Sequence, residues 1–442
     1  MQGEVGSVVT LGHHQAGKSS CVGHFAMLLD PTWHHVRQYD RAIENNLHHR
    51  KYAAMLDRSV HEKHRGISID RHMLELRTKS KYYTWFDAPG HKDYVNNIIP
   101  CTTQSDAALL IVSALLADFE EGIHETGQTY EHAVIAMALG IKRVVVGVNK
   151  MDVQEVNYSS ERYAEICRRM KTMLKTIGFK RSSVQFVPIS AFVGDNLTTK
   201  SSNMPWWNGP TLLQVFDELE LPTRNNADKP LRLPISAVWT LAGVGAVAVG
   251  RVESGTIVPG IKQVAITNRK GLTTVKSMET HYKSLQRAIP GNCVGLSFSG
   301  VGRWEISKGD VLYSLDAPAT TRTTFKARIY IVGHPTKISA GYSPLLYCHT
   351  THSPCVWTAI ESKIDRKTGE VLVQHPEQLG TGDSAIVIIK LIKPICVENY
   401  ESFPALGRFV IRDNSKTVAV GIVEEVHNLS SLGRMTKPAI KN

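Results

Sequence analysis

The stretch GHHQAGKSS, Gly12 to Ser20, sets the architecture expected of the first half of the chain. Its frame is a glycine, four residues, then Gly17-Lys18-Ser19. A strand-like run precedes it and a helix-like run follows, the setting that a phosphate-binding loop requires. Glycine supplies backbone conformations that turn successive N–H groups toward phosphate oxygens. Lys18 is placed to neutralise β- and γ-phosphates, and the Ser19 hydroxyl to bind Mg²⁺. The filling, His13-His14-Gln15-Ala16, is odd for such a loop. It poses the question of whether this is a working site or the shell of one.

Outward from the loop, the first half of the chain alternates strand-like and helix-like patterns. Short runs at 5–11, 82–87, 107–114, 143–149 and 185–189 are rich in Val and Ile, as strands buried on both faces are. Helical stretches such as 131–139 and 160–177 separate them. This alternation predicts a doubly wound parallel sheet. The pattern changes at LPTRNNADKPLRLP, 221–234, a polar stretch with three prolines that reads as a linker. Beyond it come glycine-punctuated β segments, GVGAVAVGRVESGTIVPG at 243–260 and AIPGNCVGLSF at 288–298. A second break falls at 316–324, and β character resumes with KARIYIVGH, SAIVIIKL and RFVIRD. Two small β-barrels package such segments best. The expected fold class is multi-domain α/β plus β. It comprises a doubly wound P-loop domain at 1–224, β-barrels at 229–318 and 324–428, and a C-terminal tail at 429–442.

Three more motifs sit at predicted strand ends. In Asp87-Ala88-Pro89-Gly90-His91, the aspartate can hold Mg²⁺ through water and Gly90 can offer its N–H to a γ-phosphate. In Asn149-Lys150-Met151-Asp152, the carboxylate can accept hydrogen bonds from guanine N1 and the exocyclic amine. Adenine lacks that donor pair and would leave the carboxylate unpaired. Ser190-Ala191-Phe192 completes a base pocket. Each motif alone is common, but four in this order at one sheet's carboxyl edge mark a nucleotide site.

Composition narrows the partners. The 442 residues suffice for two or three domains, and 42% hydrophobic with 21% charged residues is ordinary for a soluble chain. A net charge of +11 favours anionic partners, nucleic acid first. Seven cysteines without a C-x-x-C pair point to reduced thiols in the cytosol or nucleus. The opening MQGEVGSVVTLG lacks a basic region followed by an apolar core, so no secretory leader is expected. The run AALLIVSALLA at 107–117 is too short to span a bilayer. A cytoplasmic location without membrane insertion is the expectation. Histidine doublets at 13–14, 34–35 and 48–49 have no convincing zinc-ligand spacing.

From about residue 8 to 426, the chain resembles the elongation factor 1-alpha family of translational GTPases. The stretches that carry this are RGISID at 65–70, DAPGHKDYVNNI at 87–98, GQTYEHA at 127–133, VGVNKMD at 146–152 and VPISAFVGDNL at 187–197. Later ones are NMPWWNGPTLL at 203–213, DKPLRLP at 228–234, VGRVESG at 249–255, ISAGYSPLLYCHT at 338–350 and LGRFVIRD at 406–413. The family carries aminoacyl-tRNA to the ribosomal A site while bound to GTP, and hydrolysis releases it. The resemblance implies a P-loop GTPase with GTP/GDP and Mg²⁺ as cofactors, stimulated by the ribosome. It also implies a guanine-nucleotide exchange factor as partner and extends the partner expectation to actin. By motif match, residues Gly12 to Ser20 hold the phosphates, with Ser19, Ser68 and Asp87 at the metal. Asp87 and Gly90 sense the γ-phosphate, and His91 is the catalytic residue that places the attacking water. Asn149, Lys150 and Asp152 select guanine, backed by Ser190, Ala191 and Phe192.

The departures from the family pattern bear on control. The family loop usually reads G-H-V-D-S-G-K-S-T, whereas His14, Gln15 and Ala16 replace its Val, Asp and Ser. The resemblance makes that valine half of an apolar gate before the switch histidine, with Ile67 as the other half. His14 makes the gate polar, and Gln15 removes a negative charge. The expectation is normal nucleotide binding with slow hydrolysis. Toward tRNA, Asn96 stands for a common lysine, Lys308-Gly309 for an Arg-Gly pair, and Tyr130 for an arginine. Lysine keeps the charge but loses the bidentate fork. The family's lysine-rich tail is reduced to MTKPAIKN. Weaker tRNA binding is therefore expected. The alternative reading is a hydrolysis-impaired GTP-binding paralogue that acts as an RNA or cytoskeletal scaffold.

Overall fold

The computed structural model describes residues 4–31, 36–44, 48–56, 62, 68, 71–260, 264–281 and 283–426. The chain packs as two compact units, Met1–Ala227 with Glu279–Val294, and Asp228–Met278 with Gly295–Asn442.

The first unit is built on a six-stranded sheet. Its strands are β1 (Glu4–Gly12), β2 (His72–Arg77), β3 (Lys81–Asp87), β4 (Ala107–Ser113), β5 (Arg143–Asn149) and β6 (Val184–Pro188), in the order β2-β3-β1-β4-β5-β6. Strands β3, β1, β4, β5 and β6 run parallel, and β2 pairs antiparallel to β3. From β1 the chain proceeds to β3 on one side and to β4 on the other. That reversal of strand order opens a crevice at the carboxyl end of β1. The 12–20 loop lies at that crevice.

The helices traced among the described residues of this unit include α1 (Lys18–Leu29), α2 (Val36–Glu44), α3 (Val95–Thr103), α4 (Leu116–Ile123), α5 (Gln128–Ala138), α6 (Ser160–Ile177) and α7 (Leu212–Glu218). Their ends follow capping chemistry. Ser159 accepts the Arg162 N–H at the start of α6, and Gly178 ends it at φ 124°. Thr211 and Gln214 form a capping box on α7. Helix α5 starts three residues before the stretch that its periodicity marks, because Gly127 takes an extended conformation just ahead of it. Val8, Leu109, Ile111, Val145 and Val187 pack with Phe25, Trp85 and Phe216 in the core. The Trp85 indole donates to Thr10 Oγ1 at 2.7 Å, so its polar atom is satisfied where it is fully buried. Each such large side chain contributes about 1.5–3 kcal/mol through burial.

The second half of the chain is β. One sheet holds β7 (Arg232–Leu241), β8 (Gly245–Arg251), β9 (Val264–Ile266), β10 (Thr274–Thr280), β11 (Lys283–Ser284), β12 (Cys293–Ser299) and β13 (Val311–Ser314). Its order is β11-β10-β12-β8-β7-β13-β9. A bridge from Val264 to Thr273 turns the β9 edge back toward the start of β10. Next come β14 (Thr321–Ile331), β15 (Ile338–Ser339), β16 (Leu345–Cys348), β17 (Thr351–Ile364), β18 (Val371–Gln374), β19 (Gln378–Leu379), β20 (Ser384–Cys396), β21 (Arg408–Asp413) and β22 (Lys416–Val426). Strands β15 and β19 pair separately, and the main order is β16-β21-β22-β14-β20-β17-β18. Because β16 also pairs with β17, the sheet closes on itself and leaves β18 as an appendage. Closure removes the unpaired edges that an open sheet must protect. Phe325, Trp357 and Phe409 fill its interior. The fold class is thus a doubly wound α/β domain followed by two β-barrel domains, as the strand patterns predict.

Candidate nucleotide site

Strand β1 delivers Gly12 at φ 137°, a conformation that suits glycine. Its N–H donates to His132 Nδ1 at 3.1 Å. The loop then folds back so that the Ala16 N–H donates to the His13 carbonyl at 3.3 Å. Gly17 is left-handed at φ 89° and leads into α1. Lys18, only 6% exposed, donates through Nζ to the His13 carbonyl at 2.8 Å. Burial pulls its ammonium down to about 8, against the upward pull of the Asp87 charge.

Asp87, at the end of β3, is buried and accepts the Ser19 hydroxyl at 2.6 Å. Ser68 Oγ lies 3.0 Å from Ser19 Oγ. The three oxygens named in advance as metal ligands therefore converge. Gly90 follows them closely, since a Cβ there would fall 2.0 Å from Lys18 Nζ. His91 accepts the Asp93 N–H through Nδ1 at 3.3 Å. His14 meets the His91 ring edge-on, with centroids 5.5 Å apart at 85°. Burial, then the charges of Lys18 and His91, lower the His14 pKa below its ordinary 6.5. Gln15 is exposed and held at φ 60°. Ser20 lies in the first turn of α1.

The base side is organised by Asn149. Its Nδ2 donates to the Ala16 carbonyl and its Oδ1 accepts the Ala191 N–H, both at 2.8 Å. One side chain thus ties the phosphate loop to the Ser190–Ala191–Phe192 loop. Ser190 Oγ accepts the Val193 N–H at 3.0 Å, which shapes that loop, and Phe192 is 45% exposed. Lys150 donates to Asp118 at 2.7 Å. Burial works to raise the Asp118 carboxyl, but hydrogen bonds from Lys150 and Ser113 hold it below its ordinary range. Asp152 stands half-buried in the turn after β5.

Residues 4–222 match the Elongation factor Tu GTP binding domain, 245–313 Elongation factor Tu domain 2, and 324–424 the GTP-eEF1A C-terminal domain-like family. The chain is 41% identical over 423 residues to the Elongation factor 1-alpha of Hyperthermus butylicus, across 95% of this chain and 96% of that protein. The chain belongs to the elongation factor 1-alpha family of translational GTPases. The Elongation factor 1-alpha of Tetrahymena pyriformis is 40% identical over 423 residues, across 95% of this chain and 97% of that one. The GTP-bound Ski7 GTPase-like domain of S. cerevisiae shares the fold at a TM-score of 0.76 and 18% identity, covering 96% of this chain and 97% of that one. SelB of Methanococcus maripaludis with a GTP analogue reaches 0.69 at 19% identity, covering 98% and 81%.

Family membership makes the chain a GTPase and residues 4–222 its guanine-nucleotide-binding domain. Two participants escaped the sequence reading, His132 behind Gly12 and Asp118 behind Lys150. They lie 120 and 32 residues from their partners, so no local motif joins them. Asn96 is exposed on α3, Tyr130 lies on α5, and Lys308 is exposed in the second unit. Ile67, the remainder of RGISID around Ser68, His34, His35 and the 429–442 tail lie outside the described residues. Among the described residues, no helix is long and apolar enough to cross a membrane.

Proposed function

We infer that this chain is a GTP-dependent translation elongation factor that delivers aminoacyl-tRNA to the ribosomal A site. Hydrolysis of GTP to GDP and phosphate releases the tRNA. The observation that carries this is the extent of the likeness, which spans the nucleotide domain and both β-barrel domains, not the phosphate loop alone. That extent does not favour the scaffold alternative.

The residues divide the work as follows. Backbone N–H groups of Gly12 to Ser20 and the Lys18 ammonium hold the phosphates. Ser19, Ser68 and Asp87 would hold Mg²⁺, because the Ser19 hydroxyl lies 2.6 Å from Asp87 and 3.0 Å from the Ser68 hydroxyl, all of them hard oxygen donors. A metal held there offsets charge on the phosphates. Gly90 offers its N–H to the γ-phosphate. His91, with Nδ1 engaged by the Asp93 N–H, orients the water whose oxygen attacks the γ-phosphorus as the bond to the β-phosphate oxygen breaks. The Asp152 carboxylate accepts from guanine N1 and its amine, while Asn149 and Lys150 hold the pocket. An exchange factor, actin and a cytoplasmic location are the further partners and setting of this reading.

The test is protection of aminoacyl-tRNA from spontaneous deacylation. The GTP form is expected to slow it and the GDP form is not. Equal deacylation with GTP bound, GDP bound or protein omitted would overturn delivery.

A further inference from the structure

Lys51 sits in a short segment that the nucleotide contacts do not use. Its ammonium lies 4.9 Å from the ring centre of Tyr52, 5.0 Å from that of Phe192 and 5.6 Å from that of Tyr39. Contact of one cation with three rings is far denser than the usual spacing of such pairs along a chain. Tyr39 belongs to α2, Tyr52 to the 48–56 segment, and Phe192 to the loop expected to back the base. One side chain therefore joins three separate pieces of the first unit.

A second tie runs in parallel. The His24 ring of α1 lies flat on Tyr52, with centroids 3.8 Å apart at 8°. A ring nitrogen of His24 lies 2.8 Å from the Ala191 carbonyl. The Tyr52 backbone also presses on α1, where a Cβ at Gly23 would fall 2.3 Å from the Tyr52 carbonyl. This half of the clasp is buried, with Tyr52 only 6% exposed. The half through Lys51 and Phe192 is accessible and can open. From Ala191 the connection continues through Asn149 to the carbonyl of Ala16 in the phosphate loop.

We propose that Lys51 is a positioning residue that clamps the 190–192 loop to the 48–56 segment and thereby sets how long a guanine nucleotide stays bound. The inference rests on the guanine-nucleotide assignment of this crevice. Nucleotide release requires the base loop to move away from the base, and the clamp opposes that movement. A cation over ring faces is suited to this task. It holds without a fixed hydrogen-bond direction and separates without leaving a buried donor unpaired.

The experiment follows release of a fluorescent GDP from the full chain after excess unlabelled GDP is added. Lys51→Ala and Phe192→Leu are each expected to speed release roughly tenfold, as losing a partly desolvated cation–ring contact does. The double variant should release far less than multiplicatively faster than the two single ones, because the Lys51–Phe192 contact is lost in both. Lys51→Arg should restore most of the slow release, since guanidinium also stacks on rings. Thermal midpoints should stay near that of the parent chain, which separates a clamp from a general loss of packing. Unchanged release in Lys51→Ala, or fully additive effects in the double variant, would overturn the clamp while GDP still binds. A parent chain that binds no GDP would overturn the nucleotide assignment itself, and the clamp with it. Should Lys51→Ala fail to fold, Lys51→Gln decides, because it removes the charge from the three rings while keeping most of the side chain.

Discussion

On the phosphate side of the 12–20 loop, Lys18 is buried against the His13 carbonyl and Ser19 is bonded to Asp87 at 2.6 Å. On the side facing His91, Gln15 is exposed at φ 60° and His14 meets His91 only by a ring edge. The first side retains the Gly, Lys and Ser residues that phosphate contact requires. The second side carries two of the three replacements, His14 and Gln15, whereas the third, Ala16, is buried and accepts from Asn149. Binding is set by groups already paired and dehydrated, so the contacts need little rearrangement when phosphate arrives. We propose that hydrolysis is set by the water that His91 steers, next to the exposed turn of the loop at Gln15. We propose on this ground that occupancy and turnover vary independently in this loop.

The harshest way to break the binding side is to disturb its backbone. A Cβ at Gly12 would fall 2.1 Å from the Ile111 carbonyl while φ stays at 137°. Gly12→Ala should therefore cost on the order of 3 kcal/mol of stability, from strain and overpacking together. Urea unfolding should show the loss as an earlier transition. An unchanged midpoint would mean that the loop backbone relaxes freely, and the contrast with the exposed side would disappear.

Base selection comes next in size. Asp152→Asn removes a charge-assisted acceptor from guanine, which costs on the order of 1.5–3 kcal/mol, or roughly ten- to a hundredfold in GTP affinity. The variant should prefer xanthosine triphosphate, whose 2-oxo group accepts from the new amide. Competition binding with GTP, ATP and xanthosine triphosphate reads this directly. If the parent chain binds GTP and ATP equally, Asp152 is not the base-reading group.

How much of this was legible follows from the kind of contact involved. Strands β1, β3, β4, β5 and β6 were readable as apolar runs because both of their faces are covered. Strand β2, HMLELR, was not, because its residues alternate between buried and exposed and it pairs antiparallel at the sheet edge. The phosphate and base motifs were readable because each is a local string at a strand end. The Asn149 tie to Ala16 and Ala191 was not, since it spans 133 and 42 residues. Backbone geometry was equally hidden, and nothing in the string HHQA marks Gln15 as left-handed.

A smaller effect is expected away from the loop, at two positions that we propose face tRNA and that depart from the family pattern. Asn96→Lys with Lys308→Arg adds one positive charge and one guanidinium fork. Binding of aminoacyl-tRNA should tighten a fewfold, and the slope of log affinity against log salt should steepen by roughly 0.7–0.9 for the added phosphate contact. Titrations at several salt concentrations measure both. If neither changes, these two positions do not face the tRNA.

The finest test separates charge from strain at Gln15. The family aspartate would place a carboxylate beside the phosphates, able to hold a charge-compensating cation as negative charge develops. It would also sit more easily at φ 60°, because Asp and Asn tolerate the left-handed region better than Gln does. Gln15→Asp changes both properties, whereas Gln15→Asn changes only the second. Single-turnover hydrolysis, with and without ribosomes, should run about threefold faster in Gln15→Asp than in the parent, which is under 1 kcal/mol of barrier. Gln15→Asn should match the parent if charge is the cause, and match Gln15→Asp if backbone strain is. The measurement belongs near pH 7, where His14 is neutral, because burial and the charges of Lys18 and His91 hold its pKa below 6.5. His14→Val, run alongside, should lower the basal rate if the imidazole gives the water access to His91. Equal rates across all of these variants would show that the odd filling of the loop leaves turnover untouched. The divide between its two sides would then be one of geometry alone.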